Sequence, residues 1–281
     1  MGSISHLPLG LPQRKRKGNN KGKEKELNVL VTGFGPFKEA YPVNPSWEIS
    51  ARLPDYLPAD RVKDPAARDN YDAQAGPRPT TSLPRVRIHR LPNAIRTSYA
   101  DARDMVPRIW DNRIEVQGPK VDFVVHVGMA GPQLVYALER RGHRDGYNAP
   151  DVDGKYLEDE KKHAEQGEKW IWHGVPEELV TDFDMEDVHR RWVQRSPPNL
   201  DLRISEDAGH YLCDFIYFSS LAHLWKKQRA RKVVFLHVPL HSDPESLQRG
   251  VELVLTLIRS LAESEWEKEK EKEKEQASTQ A

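Results

Sequence analysis

Four short apolar runs punctuate the chain: residues 28–32 (NVLVT), 85–91 (RVRIHRL), 121–127 (VDFVVHV) and 232–238 (KVVFLHV). They are rich in β-branched residues and too short for helices, the pattern of buried or half-buried strands. Stretches with helical spacing lie between them. Residues 45–53 begin on a proline suited to a first turn, 94–112 are mixed, 208–226 are amphipathic, and 244–262 put Leu247, Val251, Leu255 and Ile258 on one face. Strand and helix in alternation predict a single α/β domain: an open twisted sheet with helices on both faces, three layers in all.

Two stretches break this rhythm and read as insertions into one domain spanning 27–263. Residues 54–84, rich in Pro, Asp and Ala, predict a loose surface loop, whereas 158–200 are highly charged yet carry Trp170, Trp172 and Trp192. That aromatic surface is enough to dock the second insertion on the core. Residues 1–26, with Arg14, Lys15, Arg16 and Lys17 among Gly, Asn and Gln, predict a disordered basic tail. Nuclear import is the functional alternative to a merely solvated run. Residues 264–281 alternate Glu and Lys for much of their length and predict a charged tail, helical or disordered.

Composition narrows the partners. Lysine plus arginine equals aspartate plus glutamate, 43 each, so no global field recruits nucleic acid or an anionic membrane. No apolar run approaches the ~18 residues of a membrane-spanning helix. A single cysteine cannot form an internal disulfide, and no secretion signal opens the chain, which together predict a soluble protein of the reducing cytoplasm. The apolar face of 244–262 leaves self-association open.

That one cysteine, Cys213, stands where a polar, glycine-containing turn (SEDAGHYLCD, 205–214) passes into an apolar-periodic helix. A helix start carries partial positive charge, which favours thiolate over thiol. The alternative is a small buried hydrophobe. A thiolate nucleophile needs a base, and His237 ends an apolar strand just before Val238 and Pro239, at the edge where open α/β sheets bind ligands. His241 is four residues on, but the intervening proline denies the helical face of a zinc pair, so no metal is expected there. Glu139 follows a strand-like run after the turn 128–131 (GMAG) and offers a carboxylate to orient an imidazole. Its competing role is an ion pair with Arg140, Arg141 or Arg144.

Together these segments resemble the pyroglutamyl-peptidase I family of cysteine peptidases. The resemblance rests on four blocks in order: 29–37 (VLVTGFGPF) with 44–48 (NPSWE), 127–131 (VGMAG) with Glu139 and Arg140, 208–213 (AGHYLC), and 235–239 (FLHVP). It implies a triad of Cys213, His237 and Glu139 acting through a thioester, with no metal or organic cofactor. It also implies a pocket in which Phe34, Phe37 and Tyr211 enclose a flat lactam ring, with Asn44 and Met129 contributing to substrate binding. The implied substrates are small peptides with an N-terminal pyroglutamyl residue. The chain departs from the family at Met129, where glutamine is usual, at His210, where threonine is usual, and at Asp214, where asparagine is usual. The family's arginine before its Pro-Asp pair is missing, and Arg144 is the nearest substitute. A peptide-end binder that keeps the fold without turnover is the competing reading. A purine-phosphorylase-like transferase is the poorer third, because no glycine-rich phosphate cradle is visible.

Overall fold

The computed structural model describes residues 26–37, 41–59, 83–113 and 120–279. The basic run at Arg14–Lys17 and most of the 54–84 stretch lie outside them. Six strands form one sheet in the order β2-β1-β3-β8-β4-β7: β1 (Glu26–Thr32), β2 (Arg85–Arg90), β3 (Phe123–Met129), β4 (Val135–Glu139), β7 (Asp201–Ser205) and β8 (Val233–Val238). All neighbouring pairs are parallel except β4 with β8, which makes the sheet mixed. A short antiparallel ribbon, β5 (Arg141–His143) with β6 (Glu178–Val180), stands apart from it.

Side-chain alternation along the strands divides the core in two. Leu30, Val124, Val233 and Phe235 pack with α2 (Tyr99–Trp110) and α5 (Leu212–Lys226). Val29, Val31, Val125, Val127, Val234 and Leu236 pack with α1 (Pro45–Ala51), α4 (Met185–Arg195) and α6 (Pro244–Thr279). The central strands β1, β3 and β8 therefore present apolar residues to both helical layers, as their continuous apolar runs require.

Several elements differ from expectation, each for a local reason. The helix that carries Cys213 starts at Leu212 rather than at residue 208, because Gly209 at φ +78° keeps the preceding turn open. It is not amphipathic but buried nearly all round, packed between the sheet, α2 and the β5–β6 ribbon. The last helix runs unbroken for 36 residues through the charged tail. Near the tail's start it is held to the body by Arg191 and Arg195 on Glu263, and by Arg191 on Glu267. Its Leu247, Val251 and Ile258 are core residues at 7% exposure or less, so that face is not free for self-association.

The 158–200 stretch is the crossover from β4 to β7. It contributes α3 (Asp159–Gln166), β6 and α4, and Trp170, Trp172 and Trp192 are all buried. Among the described residues, no helix is long and apolar enough to cross a membrane.

Candidate active site

Strand parity assembles the site. Gly128 shares the β3 face of Val124, His237 the β8 face of Val233 and Phe235, and Glu139 the face of β4 opposite Tyr136 and Leu138. All three therefore look toward α5. In register, Gly128 is paired with His237, and His237 with Ala137, which leaves Glu139 diagonal to His237 on the same face. Diagonal neighbours across an antiparallel pair lie within reach of long side chains. Accordingly, His237 Nδ1 and Glu139 Oε1 are 2.7 Å apart.

Cys213 enters from above as the second residue of α5, over Gly128. A Cβ placed at Gly128 would lie 3.0 Å from Cys213 Sγ and 2.4 Å from Phe235 Cζ, so only glycine lets the thiol settle against the strand that flanks His237. Burial alone would lower the pKa of His237, but the Cys213 thiolate and the Glu139 carboxylate outweigh it and push the imidazole up to about 10. An imidazole held beside a thiol is the base that a sulfur nucleophile needs. With Nδ1 facing Glu139, Nε2 is the nitrogen left for proton exchange with thiol and substrate.

Glu139 is 1% exposed and does not pair with the arginines that follow it. Arg140 is held by Glu186 and Glu206, Arg141 by Glu178 and Glu206, and Arg144 by Asp145 and Glu177. Arg144 also donates to Val175 O, so it does not stand in for the missing family arginine.

Asp214 follows Cys213 directly, yet the charge it could bring beside the thiol is muted. Asp214 is fully buried and turned toward the β5–β6 ribbon, accepting from the His143 backbone N–H at 3.1 Å and from Tyr147 Oη at 3.1 Å. Burial, together with the nearby charges of Asp207 and Glu139, outweighs those hydrogen bonds and pushes its carboxyl up to about 8, leaving it largely uncharged near neutral pH.

The aromatic positions separate into two roles. Phe37 and Tyr211 face each other at 6.2 Å between ring centroids, half-buried. Tyr211 and Cys213 both pack against the core cluster that contains Phe34, itself only 3% exposed. Phe34 thus backs the rings rather than lining an open surface. Asn44 is occupied by the fold: its Oδ1 caps α1 through Ser46 N, and its Nδ2 donates to Gly35 O at 3.0 Å, which fixes the loop that carries Phe37. The alternation of β3 puts Met129 in step with Val125 and Val127, on the face away from Cys213.

One participant was not singled out in the sequence. His126 bridges Thr32 Oγ1 at 2.7 Å and Ser220 Oγ at 2.9 Å, tying β1 and β3 to α5 two residues before Gly128. Complete burial pushes it down to about 3, so it is a neutral strut. A polar residue inside the run FVVHV, at the same strand parity as Gly128, was the available signal.

A thiol at a helix start, a strand-end imidazole and a buried carboxylate on one face of an α/β sheet define the constellation of a cysteine hydrolase. Comparison with known proteins specifies the class. The pyroglutamyl peptidase family model matches residues 91–250, a span that includes Glu139, Cys213 and His237. The chain is 28% identical to human pyroglutamyl-peptidase 1 over 238 residues, covering 84% of this chain and 91% of that protein. It is 29% identical to the pyrrolidone-carboxylate peptidase of Pyrococcus furiosus over 214 residues, 76% of this chain and 81% of the other. A solved variant of the Pyrococcus furiosus pyrrolidone carboxyl peptidase superposes with a TM-score of 0.59 at 22% identity, over 84% of this chain and 99% of that one. The protein belongs to the pyroglutamyl peptidase family.

Proposed function

We propose that this protein removes the N-terminal pyroglutamyl residue from small peptides, with Cys213 as nucleophile, His237 as general base and acid, and Glu139 holding the imidazole. The observation that carries the reading is the meeting of these three side chains, from α5, β8 and β4, on one face of the sheet. Cys213 Sγ attacks the pyroglutamyl carbonyl carbon, and backbone N–H groups at the start of α5 receive the developing oxyanion. The C–N bond then breaks as imidazolium Nε2 protonates the leaving amine. His237 next takes a proton from water as hydroxide adds to the thioester carbon, and the C–S bond breaks as the imidazolium returns that proton to sulfur, releasing pyroglutamate and the thiol. These steps call for no metal or organic cofactor.

Phe37 and Tyr211 provide flat apolar walls suited to a neutral lactam, while a charged α-amino group would lose its hydration there without a counter-charge. The reaction needs a reduced thiol, which favours a reducing compartment such as the cytoplasm. One observation keeps the silent-binder reading in contention: Arg144 is engaged elsewhere, so the oxyanion depends on backbone donors alone.

Fluorophore release from a pyroglutamyl amide under reducing conditions tests the proposal. Wild type should turn the amide over, prolyl and glutaminyl amides should resist, and Cys213→Ala should lose more than about 10⁴-fold in kcat. A wild-type protein that binds the amide without turnover would establish the binder instead.

A further inference from the structure

Behind the nucleophile lies a second constellation that the peptidase chemistry does not use. The side chains of His143, His210 and Asp214 each offer one ligand atom, and these atoms all fall within 4.8 Å of one another. His143 Nδ1 is 3.3 Å from Asp214 Oδ2, and His210 Nδ1 is 3.9 Å from the same oxygen. We propose that His143, His210 and Asp214 form a binding site for a divalent transition-metal ion of the zinc class, adjacent to but separate from the Cys213–His237–Glu139 site.

Geometry and surroundings both support it. Ligands about 2.0–2.1 Å from a tetrahedral zinc ion stand about 3.3 Å apart, the spacing that His143 and Asp214 already have, and His210 needs to move inward by no more than about 1.5 Å. His210 can make that move, since its side chain is 48% exposed and sits on the turn before α5. The carboxyl of Asp214 is fully buried, yet among the described residues its ionic partners are these two histidines, with no lysine or arginine. A metal ion that displaces the proton of this carboxyl supplies the counter-charge that no lysine or arginine provides.

The surroundings are also shaped for the trio. Gly146, at φ +95°, leaves room for the His210 ring, because a Cβ there would lie 2.9 Å from His210 Nδ1. Tyr147 Oη, 3.1 Å from Asp214 Oδ2, is an outer partner of the kind that orients a ligating carboxylate. Two imidazoles and one carboxylate suit zinc and its neighbours rather than calcium or magnesium, and the exposed side of His210 leaves a position for water.

The test is titration of Zn²⁺ into the full-length Cys213→Ala protein by calorimetry near neutral pH, which removes the nucleophile as a competing ligand. One ion should bind per chain, and adding His210→Ala should weaken it by more than about 100-fold, beyond the effect of losing an outer partner. His143→Asn in the same background should weaken it comparably, and thermal melting of both variants checks that they fold. Co²⁺ bound to wild type should show no thiolate charge-transfer band. Zinc binding that requires Cys213, that is unaffected by both histidine substitutions, or that is absent altogether overturns the proposal.

Discussion

Glu139 has one carboxylate oxygen on His237 and the other, Oε2, buried without a partner. An orphaned buried acceptor is costly and rarely retained without a use. In the proposed mechanism the charge of this carboxylate acts through Oε1, keeping Nδ1 of His237 protonated and stabilising the imidazolium. Glu139→Gln should keep the fold and leave KM for a pyroglutamyl amide nearly unchanged, while kcat falls by about 10³–10⁴-fold, as when a triad carboxylate becomes an amide. Steady-state kinetics beside a denaturation curve distinguish this from misfolding, and a loss under tenfold would remove Glu139 from the mechanism. Cys213, His237 and Glu139 each stand in a short local pattern (a helix start, a strand end, an acid after an apolar run), but what joined them into one site in the sequence was the resemblance carried by four ordered blocks. The orientation of Asp214 was not legible, since it depends on β5 arriving from 71 residues away. Nor were the separate roles of Phe34 and Asn44, which depend on how the loop after β1 folds back on α1.

Among the elements, α4 shows how a charged segment can still be core. Its sequence MEDVHRRWVQR puts Met185, Val188 and Trp192 on one buried stripe, with Asp184 capping the start through Asp187 N. Trp192 is fully buried and its Nε1 donates to Leu253 O on α6 at 2.9 Å. Trp192→Ala should therefore cost about 3–5 kcal/mol of stability, by cavity formation and by loss of that bond. Urea unfolding measures it, and a loss below about 1 kcal/mol would mean that α4 is only a cover on the domain. Strands β1, β2, β3 and β8 and the helix starts at Pro45 and Pro244 follow from the hydrophobic pattern. Strand β7 was missed because DLRIS is a half-buried edge strand with only two apolar residues. The ribbon β5–β6 escaped because three residues per strand carry too little periodicity to read.

Across the whole molecule, the fold class was readable and the strand order was not. The reversal of β4 against β8 arises from long-range pairing, yet it alone makes Glu139 a diagonal neighbour of His237. The sheet thus presents base and carboxylate from one face, α5 lowers the thiol onto it, and the β4-to-β7 crossover closes the outside with buried tryptophans. The central claim is that acyl transfer passes through Cys213, and capture of the acyl-enzyme tests it most directly. Wild-type protein mixed with an activated pyroglutamyl ester, quenched in acid within a turnover and mapped by mass spectrometry, should carry one pyroglutamyl thioester, on Cys213. A label on another residue, or ester turnover by Cys213→Ala at the wild-type rate, would contradict it.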